Sequence, residues 1–119
     1  MRGRPAATEF AAYYATYVDL IGSDDILGTL QAQLDTTLSV LTGISEDKSL
    51  HRYAADKWSI RQLLNHVSDT ERVFVYRALW FARGFDTALP GFDQNVAVPT
   101  AAAEQFSWAS HVEDFRARS

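Results

Sequence analysis

The stretch from Lys57 to Arg72 limits what this chain can fold into more than any other. It reads Lys57-Trp58-Ser59-Ile60-Arg61-Gln62-Leu63-Leu64-Asn65-His66-Val67-Ser68-Asp69-Thr70-Glu71-Arg72. Ser59 followed three residues later by Gln62 has the spacing of a capping box, in which each side chain satisfies the other residue's backbone N–H at a helix start. Beyond it Ile60, Leu63, Leu64, Val67, Phe74, Ala78 and Phe81 fall on one face at about 100° per residue. Gly84 then breaks the pattern. The spacing predicts one helix over residues 59–83, and its apolar stripe calls for partner helices.

Those partners are sought on both sides. Residues 1–7 read as a loose lead-in. Phe10, Tyr13, Tyr14, Tyr17, Val18 and Ile21 recur at helical spacing, which predicts a short helix ended near Gly22 with its tyrosines packed in the core and their hydroxyls toward water or a polar partner. Ser23-Asp24-Asp25 is a helix start, with Ser23 or Asp24 as the cap. Leu27, Leu30, Leu34, Leu38 and Leu41 follow as a seam, so a helix is expected over residues 24–42, stopped by Gly43. Residues 44–57 form a connector pinned by Tyr53 and Trp58. Pro90, Gly91, Asp93, Asn95 and Pro99 predict a long loop over residues 85–100. Ser107 can cap a last helix containing Trp108, Val112 and Phe115. That helix shows no stop signal, and Ser119 follows Phe115 by about one turn. The expectation is an all-α helical bundle over residues 8–119, cut within the domain.

Composition excludes several classes. The net charge of -4 argues against a duplex-binding footprint. The absence of cysteine removes disulfides, thiolate metal sites and a cysteine nucleophile. Arg2 and Arg4 are followed by Thr8, Glu9 and Thr16, which interrupt any signal-peptide core. Nothing approaches the ~20 apolar residues of a membrane span. A cytoplasmic protein with no nucleic-acid or membrane partner is expected.

The chemistry-bearing residues sit on the long helix. Counting from Ile60, His66 falls at about 240°, on the flank of the stripe beside Thr70, Val73 and Arg77. A neutral imidazole there can bind a transition metal, act as a base near neutral pH, or simply pack. Glu71 falls inside the stripe. It can hydrogen-bond a tyrosine, Trp58 or an arginine, or it can orient His66. Arg77 can neutralise an anionic substrate or lie along the surface with its stem packed. Neither His51 nor His111 makes a pair that looks like a metal site; His111 and Asp114 are three apart, but the next turn offers no third donor. Phosphate loops, GxSxG and HExxH are absent.

Several blocks together resemble the DinB-like (DinB/YfiT-type) superfamily. They are Tyr13-Tyr14-Ala15-Thr16-Tyr17-Val18, Tyr53-Ala54-Ala55-Asp56-Lys57-Trp58-Ser59-Ile60, His66-Val67-Ser68-Asp69-Thr70-Glu71-Arg72, Tyr76-Arg77-Ala78-Leu79, Phe81-Ala82-Arg83-Gly84 and Leu89-Pro90-Gly91-Phe92-Asp93-Gln94. The resemblance implies an up-down four-helix bundle holding a divalent metal of the nickel, zinc or iron class through three histidines. His66 matches the first. The other two belong to an H-x3-H pair on a later helix that has no counterpart here, so the resemblance implies a bundle lacking its C-terminal helix.

Two functions follow as expectations. The first is an N-terminal fragment of a metal-dependent enzyme, a thiol S-transferase or hydrolase. In it a metal held in part by His66 activates a low-molecular-weight thiol or water. Thr70, Arg77 and the 85–98 loop would shape the small-molecule pocket, with Glu71 supporting the ligand. The alternative is a non-catalytic helical interaction or dimerisation module without metal that associates through its apolar surface, with a homodimer as the expected form.

Overall fold

The structure is a computed structural model and describes residues 3–118. Met1, Arg2 and Ser119 lie outside the described residues, and with them the charge assigned to Arg2 and the ending assigned to Ser119. All regular structure among the described residues is helical. The helices are α1 (Ala15–Val18), α2 (Ile26–Thr42), α3 (Ile60–Ala82), α4 (Gln94–Ala101) and α5 (Trp108–Arg118), with 3-10 turns at Ala12–Tyr14, Lys48–Leu50 and Ala103–Gln105. None is long and apolar enough to cross a membrane. The chain divides into two compact units, Met1–Thr37 and Leu38–Ser119.

In the first unit the predicted N-terminal helix shrinks to a 3-10 turn running into the four residues of α1. The tyrosines expected in a core are exposed. They pack on one another instead, with Tyr13 and Tyr14 rings edge-on at 5.2 Å. The cap of α2 is Asp25 rather than Ser23 or Asp24. Its Oδ1 accepts the Gly28 N–H at 3.0 Å, while Ser23 Oγ accepts the Asp25 N–H at 3.0 Å.

The second unit is built on α3. Its start is the expected capping box: Ser59 Oγ accepts the Gln62 N–H at 3.2 Å, and Gln62 Oε1 accepts the Ser59 N–H at 3.0 Å. Its end is a Schellman turn. Gly84 takes φ +86°, its N–H reaches Phe81 O at 3.0 Å, and the Phe85 N–H reaches Trp80 O at 3.2 Å. The Phe85 ring then stacks on Trp80 at 4.2 Å, the hydrophobic contact that accompanies this turn. The expected 85–100 loop is half helix. Asp93 Oδ1 accepts the Asn95 N–H at 2.9 Å and opens α4, which contains Pro99.

The expectation of a bundle lacking its C-terminal helix is corrected. Residues Trp108–Arg118 form α5, and it packs on α3 more extensively than any other element does. Ser107 Oγ accepts the Ser110 N–H at 3.1 Å. Trp108, His111, Val112 and Phe115 are buried along its inner side. The helix is secured at its N-terminus and along one face.

Candidate functional site

α3 has two sides of opposite character. One carries Arg61, Leu64 and Ser68, all buried although two are polar. Arg61 is 8% exposed, and all five of its N–H groups are used. Nε donates to Ser49 Oγ at 2.8 Å. Nη1 donates to Phe106 O at 2.7 Å and Glu104 O at 3.3 Å. Nη2 donates to Glu46 Oε1 at 3.1 Å and Glu46 O at 3.2 Å.

Glu46 in turn holds the start of α5. Its Oε1 accepts the Trp108 N–H at 2.7 Å and its Oε2 the Ala109 N–H at 3.0 Å. The Trp108 N–H, more than any other group, keeps the Glu46 carboxyl below its ordinary range. The Ala109 N–H and Arg61 add to this, and partial desolvation opposes it. The Trp108 indole N–H donates to Leu41 O at 3.0 Å. Further along, Arg72 Nη2 meets both Asp114 oxygens at 2.7 Å. Arg52 pairs with Glu104. The network is not legible in the sequence because Glu46 and Ser49 lie in what reads as a connector, and because Arg61 and Arg72 fall outside the apolar stripe.

The predicted apolar stripe is split between the two sides: Leu64 is buried on the Arg61 side, Ile60 and Val67 are half-buried, and the rest of the stripe is open. Leu63 is 52% exposed, Phe74 58% and Phe81 55%. Glu71 is half-buried beside the stripe and forms no hydrogen bond or ion pair with a described residue. The expected hydrogen bond to His66, a tyrosine, Trp58 or an arginine is not formed among the described residues.

His66 occupies the flank between these sides, as predicted. Its ring lies 5.0 Å from Trp58 and stacks at 6.4 Å on Phe92, and its Nδ1 is buried without a hydrogen-bond partner. Thr70 Oγ1 donates back into the helix, to Val67 O at 2.8 Å. Arg77 Nη2 donates to Pro90 O at 3.2 Å, and its guanidinium stands 6.0 Å from the Phe74 ring. Trp80 Nε1 donates to Thr87 O at 3.2 Å. The loop after α3 is thus fastened along the flank that carries His66, Arg77 and Trp80. Two hollows of this unit lie elsewhere. One of about 440 Å³ is lined by Tyr53, Trp58, Ile60 and Leu63 among others, and one of about 380 Å³ by Glu46, Trp108 and Val112 among others. Neither is lined by His66, Thr70 or Arg77.

The family model described as the DinB superfamily matches residues 29–118. The chain belongs to the DinB superfamily. No curated protein and no solved structure matches it.

Membership in the DinB superfamily does not by itself place a metal donor set among the described residues. A structural or catalytic metal needs about three or four convergent protein donors. No group of three or more His, Asp or Glu among the described residues could hold a metal, and the chain has no cysteine. The rings beside His66, those of Trp58 and Phe92, are not metal donors. His111 is committed elsewhere, donating from Nε2 to Ala103 O at 2.6 Å, and His51 is exposed in the connector. The residues present do not fit the group. The expected metal-dependent S-transferase or hydrolase is corrected on that ground, because activating a thiol or water would need a donor set that is not assembled.

Proposed function

We propose that this DinB superfamily chain is a non-catalytic helical interaction module that pairs with a second copy of itself through the open apolar face of α3. The observation that carries this reading is the exposure of Leu63, Phe74 and Phe81 on one stripe of the longest helix. Covering such side chains gains about 25 cal/mol per Å² of apolar surface, and contiguous apolar patches mark association surfaces. The opposite side of α3 is tied to α5 through Arg61 and Arg72, so the stripe stands on a rigid support.

Sedimentation equilibrium tests the reading. The wild-type chain is expected to form a concentration-dependent dimer. Phe74→Glu should weaken it about thirtyfold, the effect of losing a central interface aromatic worth ~2 kcal/mol. A wild-type monomer at every concentration would overturn the proposal.

A further inference from the structure

The open face of α3 carries two complementary features at its two ends. Near its start is the groove of about 440 Å³ walled by Tyr53, Trp58, Ile60 and Leu63. Near its end Phe81 stands more than half exposed. Leu63 and Phe81 are separated by about five helical turns, so they share one side of the helix and stand about 27 Å apart along it.

We infer that two copies pair antiparallel along α3, with Phe81 of each copy seated in the other's groove against the partner's Leu63. This rests on the self-association proposed above and adds its orientation. A twofold axis at the level of Arg72 brings each Phe81 to the other copy's groove, because residues on one flank of a helix meet the same flank of an antiparallel twin. The contact is isologous: Phe81 meets the partner's Leu63, and Leu63 meets the partner's Phe81. Thr70 and Phe74 then lie near the axis. A parallel pair sets groove against groove and Phe81 against Phe81, which fills neither.

The area is sufficient for such a pair. At about 200 Å² for a whole aromatic side chain, Tyr53, Phe74 and Phe81 leave about 380 Å² open per copy. Two copies therefore cover about 760 Å² from these residues alone. Leu63, Ala78 and the Arg77 stem bring the total to about 1,000 Å², where specific interfaces begin.

The chain has no cysteine, so introduced thiols report contacts without background. Leu63→Cys and Phe81→Cys, each at an exposed position, are treated alone and mixed with a short thiol crosslinker. Crosslinked dimer is expected in the mixture and not in either variant alone. Crosslinking of each variant with itself, or no crosslink while sedimentation still shows a dimer, overturns the antiparallel register and leaves self-association standing. No crosslink together with a monomer in sedimentation overturns both. Charge gives a second readout. Leu63→Lys mixed with Phe81→Glu should associate more tightly than either variant alone. Equal weakening in the mixture contradicts the register.

Discussion

On one side of α3, Arg61, Leu64 and Ser68 are buried; on the other, Leu63, Phe74 and Phe81 are open. Hydrophobic patterning alone ranks these sides the other way round. The difference lies in what each side can satisfy. The Arg61 side meets hydroxyl, carbonyl and carboxylate acceptors from the connector and from the segment before α5, and every N–H of Arg61 finds a partner, while the buried Ser68 Oγ is left without one. The apolar stripe can gain from burial only by covering area, and beyond Ile60, Leu64 and Val67 it stands open. Burial on α3 therefore follows a polar network that seats α5, while Leu63, Phe74 and Phe81 stay exposed on the face proposed for association.

The sharpest way to break this comparison is to remove its centre. Arg61→Ala should destabilise the chain by about 3–5 kcal/mol in urea unfolding, because Ser49, Glu46 and two carbonyls lose their shared partner. A loss under about 1 kcal/mol would mean that apolar packing, not the network, holds α5. The open side should behave in the opposite way. Phe81→Ala should weaken self-association by about tenfold, ~1.4 kcal/mol, and move the unfolding free energy of the isolated chain by no more than about 0.5 kcal/mol.

Ser59→Ala sharpens the picture at the helix start that both sides share. Loss of the cap should cost about 1 kcal/mol of thermal stability. The smallest effect is that of pH. Glu46 has a folded pKa below its ordinary 4.5, so its contribution is complete above that value and is lost as pH falls through the lowered one. Acid unfolding should therefore be steeper below pH 4.5 in the wild type than in Glu46→Gln, and identical profiles would remove Glu46 from the account.

Local rules carried α3. The Ser59–Gln62 box and the Gly84 stop are chemistry between near neighbours, and both ends formed as read. Asp93 was equally a local signal, yet α4 was missed because Asn95 and Pro99 read as turn residues. The side of α3 that would be buried could not be read locally. It depends on Glu46, Glu104 and Phe106, which are 15, 43 and 45 residues from Arg61. His66 was placed on the correct flank by periodicity, but what surrounds it depends on Phe92 in a distant loop. The family resemblance was right about membership, and it already left two of the three histidine donors without a counterpart here; a shared fold does not fix the chemistry placed on it.

Fluorine NMR of the chain labelled with 4-fluorophenylalanine at its seven phenylalanines would resolve the two sides within one sample. With rising protein concentration, the Phe74 and Phe81 lines should shift while the line of buried Phe115 stays fixed. If all seven lines hold their positions across the concentration range, the open face of α3 is not an association surface.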